Sequence, residues 1–529
     1  MNIIKYQLIY FSFLLVAISC NPDPSTKQKT NISIQSTSNV YKPPVFTNDK
    51  RVEKIKGIAQ EIQKLIEEHA ISKNIPGIAY GIVVDDELIV SSATGLINIK
   101  NELPATTESS FRIASMTKSF TAMAIMKLRD EGKLSLSDPV SKYIPEMSGL
   151  KYLTSDSPAI DIENLLTMTA GFPEDNPWGD RQLDETDQML IDLVKEGISL
   201  SNPPSSQFEY SNTGYALLGN IVSRISEKPY QEYIKETILQ PLGMDHTYWE
   251  YDSVPENQLV IGYRWEDEQW KIEPLLHDGS YCAMGGLITS IEDFSKYVSF
   301  HLSAWPSRSE PDNGPIKRST IREMHMPQFN SLYADATDWN GDQCAVISGY
   351  GYGLGITKDC NGNKWISHGG ALPGYGSNYI FFPEYGVGIM AFCNLTYTSP
   401  YPAKEIGKLL FETIDLQPRE LPVSNILVER QEQLTQLIQT WSTDLEAEIL
   451  AENFYLDKSR KHRMLEVQEV LDKAGTIQSM DEMKPINQLR GSFKLQTENG
   501  TIDIVFTLSP EKNPKVQYLH VSFQPNESK

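Results

Sequence analysis

Apolar residues recur at three- and four-residue intervals through residues 54–71, KIKGIAQEIQKLIEEHAI, and predict an amphipathic helix that Pro76-Gly77 ends. The next stretch, IAYGIVVDDELIVSSATG, is apolar and β-branched on either side of Asp85-Asp86, which predicts two strands joined by a short turn. Helical periods follow in SFTAMAIMKLRDEG, TGYALLGNIVSRISE and PYQEYIKETILQPLG. Far downstream, KWISHGG, SNYIFFPEYG and VGIMAFCN read as strands again, and AKEIGKLLFETI as a closing helix. Strands at both ends of a region with helices in its middle predict one sheet assembled from the two chain ends. The helical middle is then an inserted subdomain.

The pattern changes near Leu421, where Pro418, Pro422 and the polar SNILVERQEQ mark a boundary. Beyond it, ERQEQLTQLIQTW and STDLEAEILAENF are helical in period. GSFKLQTENGTIDIVFTLSP alternates with a break at Asn499-Gly500, a strong hairpin signal, and VQYLHVSFQ supplies a third strand. Residues 419–529 are therefore expected to form a small accessory α+β domain, in which no nucleophile or metal cluster is evident. No internal repeat stands out.

Length and charge narrow the range of functions. A chain of 529 residues is too long for one compact core and suggests roughly three domains. Asp and Glu number 69 against 47 Lys and Arg, a formal charge of -22, so nucleic acid is not an expected partner. The amino terminus, MNIIKYQLIYFSFLLVAISC, has one early positive charge, an apolar run too short for a membrane span, and then Ser19-Cys20. Residues 1–20 read as an export signal. Its end resembles the lipobox of bacterial lipoproteins, in which the cysteine is acylated; Ala17 stands where that motif usually carries Leu, so cleavage without lipid is the alternative. Residues 21–50, rich in Ser, Thr, Asn and Pro, read as a flexible tether. The expected location is periplasmic or cell-surface, on a membrane through lipidated Cys20.

Four cysteines remain: Cys282, Cys344, Cys360 and Cys393. Their spacings fit no metal site. Cys344 and Cys360 bracket the turn-prone YGYGLG, so they form either a hairpin-spanning disulfide or, with the other two, small buried hydrophobes.

Candidate chemistry begins at RIASMTKSF, residues 112–120. Ser115 and Lys118 are three apart where a helix starts, which puts both side chains on one face, near unpaired N–H groups that favour a developing alkoxide. The spacing alone is cheap, since SPEK at 509–512 repeats it in a strand-to-strand loop. FEYSNTGYALLG adds Tyr210-Ser211-Asn212, and WISHGGALPGYGSN adds His368-Gly369-Gly370 at what reads as a strand edge.

In this order the three motifs resemble the serine β-lactamase and penicillin-recognising hydrolase superfamily, its class C-like and esterase-like branch. LSDPVSKYIPE, IENLLTMTAGFP, QPLGMDHTYW and AMGGLITSIEDFSKY extend the likeness over residues 55–414. The resemblance implies an α/β (α+β) β-lactamase/transpeptidase-like fold in residues 51–418: an antiparallel sheet built from both ends of the domain, flanked by helices, with the inserted helical subdomain. It implies that Ser115 attacks while Lys118 and Tyr210 handle its proton, because a neutral hydroxyl needs a neighbouring base. Asn212 would orient Lys118 and bind substrate together with His368 and Gly370. The backbone N–H groups of Ser115 and Ala371 would form the oxyanion hole. No metal or organic cofactor is implied.

Each residue has a structural alternative: a helix cap and a solvated lysine for Ser115 and Lys118, a half-buried anchor for Tyr210, a satisfied strand histidine for His368, a bulge for Gly369-Gly370. Where the family members that handle β-lactams best carry a lysine, this chain has His368, mostly neutral near pH 7. The expected activity is therefore hydrolysis of an ester or amide through an acyl-enzyme, as an esterase, a D-amino-acid peptidase or a β-lactamase-like enzyme, on a small-molecule or peptide substrate. The alternative is a slowly deacylating or non-catalytic penicillin-receptor-like sensor.

Overall fold

The computed structural model describes residues 41–526, so the export signal, Cys20 and the tether up to residue 40 lie outside the described residues. The chain divides into one compact unit spanning Lys42–Pro422 and a second that begins at Val423.

The first unit is organised by a nine-stranded antiparallel sheet. Its order runs Leu103–Pro104, Glu87–Asn98, Gly77–Val84, Val387–Cys393, Tyr375–Phe382, Lys364–Leu372, Gly355–Asp359, Val346–Tyr350, Phe329–Tyr333. The two chain ends meet where Gly77–Val84 pairs with Val387–Cys393, from Ile78 opposite Cys393 to Val84 opposite Val387. Every residue of both strands is buried, which explains why they read as continuous apolar runs rather than as alternation.

On one face of the sheet sits the helix Thr117–Asp130, enclosed from Thr117 to Met126. A helix apolar nearly all round is one buried nearly all round, and here it packs against Asn212–Ser226 and the short Cys282–Gly285 turn. On the other face lie the N-terminal helices, whose Ile55, Ile62 and Ile66 share a core with Ile82, Phe382 and Leu410. These helices are two rather than the single one expected: Arg51–Gly57 and Ala59–Lys73. Gly57, the poorest helix former after proline, precedes the break at Ile58.

The tether ends sooner than expected, because residues 42–50 belong to the first unit. Val45 pairs with Glu420, and Phe46 lies under the guanidinium groups of both Arg51 and Arg419. Cys344 and Cys360 are joined by a disulfide, with Cα atoms 5.4 Å apart, while Cys282 and Cys393 are buried thiols. Among the described residues, no helix is long and apolar enough to cross a membrane.

The second unit packs Asn425–Thr440 and its neighbours on a five-stranded antiparallel sheet around Leu434, Leu437, Phe493, Ile504 and Phe506. The hairpin between Arg490–Thr497 and Gly500–Leu508 turns at Glu498-Asn499 rather than at Asn499-Gly500, since Gln496 pairs with Thr501. Gly500 is needed for another reason: a Cβ there would stand 2.1 Å from the carbonyl oxygen of Gln524 on the neighbouring strand. The helix Arg460–Ala474 was not evident in the sequence because only Val467 and Ala474 of it are buried.

One buried polar group in the first unit makes its stability depend on pH. Trp305 Nε1, which can only donate, lies 2.9 Å from His325 Nδ1, so His325 Nε2–H donates to His301 Nδ1, also 2.9 Å away. Both imidazoles are fully enclosed, and burial lowers the His301 pKa to about 3 and that of His325 well below its usual value. A histidine held neutral in the folded state and free to protonate when unfolded stabilises the fold above pH of about 6.5, and that stability is lost as pH falls, by up to about 1.4 kcal/mol per pH unit for each group. His301→Gln keeps an acceptor for His325 and removes one titrating group. Its melting temperature should fall less between neutral pH and mild acid than that of the wild type. An equal fall in both proteins would contradict the assignment.

Candidate active site

The segment that carries Ser115 is a tight reversal. Phe111–Arg112 pairs with Ile288–Thr289, the turn Ala114–Met116 follows, and the helix Thr117–Asp130 begins directly after it. Ala114 adopts φ 51°, a left-handed conformation that costs a non-glycine residue of order 1 kcal/mol or more and persists where surrounding contacts impose it. Those contacts are Ile113 N–H to Leu287 O at 2.9 Å and Ser377 Oγ–H to Ile113 O at 2.7 Å. Ser115 is thereby presented at the floor of a cleft, 8% exposed.

Lys118, one turn further on, is wholly enclosed. Its Nζ lies 2.9 Å from Ser115 Oγ, 2.7 Å from Asn212 Oδ1 and 2.8 Å from Met284 O. These three oxygens can accept from the three N–H groups of the ammonium; in the neutral amine, two N–H groups serve the amide and carbonyl oxygens and the lone pair is left for the Ser115 hydroxyl. Burial lowers the Lys118 pKa to about 7, although the charges of Asp180 and Asp175 oppose the shift. The Tyr210 ring centroid is 4.9 Å from Nζ. Burial raises the Tyr210 pKa, with the nearby Ser115 hydroxyl opposing the shift, so it is present as the phenol.

Tyr210 and Asn212 are fixed by the start of the helix Asn212–Ser226. Ser211 caps it by accepting from Gly214 N, 3.2 Å away. Asp175 adds a second clamp, accepting from Asn212 N at 2.6 Å, Thr213 N at 2.9 Å and Thr213 Oγ1 at 2.7 Å. Asn212 differs from expectation in one respect: it holds Lys118 but is 0% exposed and does not line the cleft. Its Nδ2 is spent on Asn176 Oδ1 at 3.2 Å and Asp180 Oδ1 at 3.4 Å, which leaves it nothing for a substrate. Asp175 and Asp180 were not singled out in the sequence. They flank the four-residue helix Asn176–Gly179, too short to leave a periodic signal.

The opposite wall is the strand Lys364–Leu372. It pairs along its length with Tyr375–Phe382, but its pairing with Gly355–Asp359 stops at Ser367, so His368 lies on an open strand edge as expected, and no strand among the described residues pairs with 368–372 on that side. Gly369-Gly370 do not form a bulge, because the pairing with Tyr375–Phe382 runs without a register shift. Gly370 is required by close approach: a Cβ would stand 2.2 Å from Ile113 O and 2.3 Å from Ser377 Oγ, in the turn that presents Ser115. His368 Nδ1 donates to Gly369 O at 2.6 Å, and its Nε2 accepts from the Tyr350 hydroxyl at 3.0 Å. Burial and the nearby Lys118 lower its pKa to about 4, so it is uncharged at neutral pH.

Ser115, Tyr210, His368, Gly370 and Ala371 line one cleft of about 480 Å³ together with Asp180 and Tyr397. Among the described residues, no cluster of His, Cys, Asp and Glu could hold a metal.

Comparison with known proteins adds a family. The Beta-lactamase family model matches residues 62–410, which include every candidate residue of the cleft that lies on Ser115 to Ala371. The chain is 28% identical over 377 residues to Protein flp of Staphylococcus aureus (strain N315), covering 71% of this chain and 70% of that one. It is 30% identical over 311 residues to Beta-lactamase-like protein 2 of Dictyostelium discoideum, covering 55% of each. Among solved structures it is similar to the octameric penicillin-binding protein homologue from Pyrococcus abyssi, with a TM-score of 0.56 and 23% identity over 88% of this chain and 98% of that one. At that identity the likeness is one of fold.

The clamp at Asp175 is testable. Asp175→Ala removes three short hydrogen bonds to a carboxylate, each worth on the order of 1.5 to 3 kcal/mol when charged. The melting temperature should drop and acylation of Ser115 should slow at least tenfold, because Asn212 and Tyr210 lose their placement; Asp175→Asn should recover part of both. Acylation at the wild-type rate in Asp175→Ala would show that the clamp does not position the site.

Proposed function

Because the chain belongs to the beta-lactamase family and has its β-lactamase/transpeptidase-like fold, we propose that it is a serine hydrolase that cleaves an ester or amide bond through an acyl-enzyme on Ser115. The observation that carries this reading is the enclosed Lys118 amine, 2.9 Å from the Ser115 oxygen and with its other donors occupied.

In the proposed cycle, Ser115 Oγ attacks the carbonyl carbon and its proton passes to the neutral Lys118 amine. The carbonyl π electrons move to oxygen, and the backbone N–H groups of Ser115 and Ala371 stabilise that oxyanion, a contribution on the order of 3 to 4 kcal/mol for each donor. Collapse breaks the bond to the leaving alcohol or amine, which takes a proton from the Tyr210 phenol as Lys118 restores it. Water then attacks the acyl-enzyme, giving its proton to the same pair, and the product acid leaves with Ser115 regenerated. The raised pKa of Tyr210 favours this relay role over that of a phenolate base.

Two features favour neutral or non-anionic substrates, hence an esterase, amidase or D-amino-acid peptidase, over a β-lactamase. His368 is uncharged down to about pH 4, and its two nitrogens are already paired. It offers a substrate carboxylate no fixed charge. The disulfide Cys344–Cys360 favours an exported protein, since such bonds persist in oxidising compartments, and is compatible with anchoring through Cys20.

A fluorophosphonate probe read by intact mass, alongside a chromogenic ester, tests the reading. The wild type should be labelled once and should turn the ester over. Ser115→Ala should do neither, and Tyr210→Phe should lower turnover by roughly 10²- to 10⁴-fold, the range for lost acid–base catalysis. Stoichiometric labelling without turnover would favour the slowly deacylating sensor. Neither labelling nor turnover in the wild type would overturn the proposal.

A further inference from the structure

The proposed cycle leaves one charged group of the cleft unused. Asp180 follows the short helix Asn176–Gly179 and lines the same cleft as Ser115, Tyr210 and His368. Its carboxylate accepts from the Tyr397 hydroxyl at 3.1 Å and from Asn212 Nδ2 at 3.4 Å. Among the described residues it forms no ion pair, and the adjacent Arg181 reaches Glu273 instead, 3.7 Å away. An ionised carboxylate that is buried is expected to be paired. Here the missing partner is not supplied by the protein.

The charges around it do not fill that role. Lys118 acts on Asp180 through space, but its amine is turned to Ser115, Asn212 and Met284. In the state needed for attack on a carbonyl that amine is neutral, and then Asp180 is left with Asp175 and Glu174 behind it, both of like charge. His368, across the cleft, is uncharged. The remaining polar lining, Asn176, Asn378, Tyr397, Thr398 and Ser399, carries no charge. The acylation-competent cleft therefore holds an acidic group and no fixed positive charge in its lining.

We propose that Asp180 determines specificity by pairing with a cationic amine on the substrate, so that the preferred ester or amide carries an ammonium group close to its scissile carbonyl. The inference rests on the acyl-enzyme reading of Ser115 and refines it. A carboxylate and an ammonium that meet in a cleft shielded from water attract more strongly than they would at the surface, and Tyr397 stands beside them as a further oxygen ligand. Burial raises the Asp180 pKa and the Lys118 charge opposes it; when Lys118 is neutral, the substrate's ammonium takes over that opposing role and holds the carboxylate ionised in the complex. An anionic substrate meets repulsion at the same place. This adds to the lack of a fixed positive charge at His368.

Two p-nitroanilides of one shape test the pairing: that of alanine, as both enantiomers, and that of isobutyric acid, in which a methyl group replaces the ammonium. In the wild type, kcat/KM should be at least tenfold higher for one alanine enantiomer than for the isobutyryl compound. Asp180→Asn keeps an oxygen for Tyr397 and should reduce that ratio at least tenfold, whatever it does to either rate alone through Asn212 and Lys118. Should the variant fail to fold, the wild type still decides: n-butylammonium should inhibit hydrolysis of neutral p-nitrophenyl acetate competitively, and n-butanol at the same concentration should not. Turnover of p-nitrophenyl acetate with no preference for the ammonium compounds, or a ratio unmoved in Asp180→Asn, overturns the inference and leaves the hydrolase reading standing. Absence of any acylation at Ser115, by these substrates or by a fluorophosphonate, removes the hydrolase reading itself and the inference with it.

Discussion

A single amine, that of Lys118, has been taken entirely out of water, and each of its bonding positions has to be met by protein. An ammonium in such a place would be costly, and desolvation accordingly draws its pKa down to about 7. Three segments far apart in the chain converge to satisfy it: the turn with Ser115, the helix start with Asn212, and the Met284 carbonyl. The same geometry that resolves the burial problem places the amine 2.9 Å from a serine oxygen. In the proposed cycle, activation of Ser115 follows from how the fold solvates the lysine.

Around that amine, the sheet and the helices act as clamps. The strand Lys364–Leu372 approaches the Ser115 turn so closely that only glycine fits at Gly370, and Ser377 on the next strand ties down Ile113. The left-handed Ala114 between them is held by these contacts. On the other side, Asp175 and Ser211 cap the helix that carries Asn212, so both walls of the cleft are anchored to the elements that build the core. Strain of order 1 kcal/mol at one residue is sustained where many surrounding contacts oppose its release.

Much of this was legible in the sequence. The two central strands, Gly77–Val84 and Val387–Cys393, stood out because every residue of them is buried and they lack polar interruptions, whereas Phe329–Tyr333, Val346–Tyr350 and Gly355–Asp359, exposed or only partly buried over most of their length, gave no such signal; the family likeness supplied the antiparallel arrangement. Ser115, Lys118, Tyr210 and His368 could be named because they sit in recognisable short motifs at helix and strand boundaries. Other features left no local trace. Asp175 and Asp180 act across space from a four-residue helix, and the enclosure of Asn212 depends on Asn176 and Asp180 packing over it. The helix break at Ile58 and the turn at Glu498-Asn499 were each missed by one or a few residues, since pattern fixes an element more firmly than its ends. Phe46 was read as tether because a lone aromatic in a polar stretch does not reveal the two arginines that cover it.

The measurement closest to the central claim is the pH dependence of Ser115 acylation by an uncharged fluorophosphonate, followed as a rate by intact mass. If the enclosed Lys118 amine is the base, the rate should rise with pH along a single titration near the value of about 7 that burial gives it. In Lys118→Arg, whose guanidinium stays charged, that rise should vanish over the same range. A rate that climbs only in the usual lysine range near pH of about 10.4, or a rise near neutrality that survives in Lys118→Arg, would contradict the account.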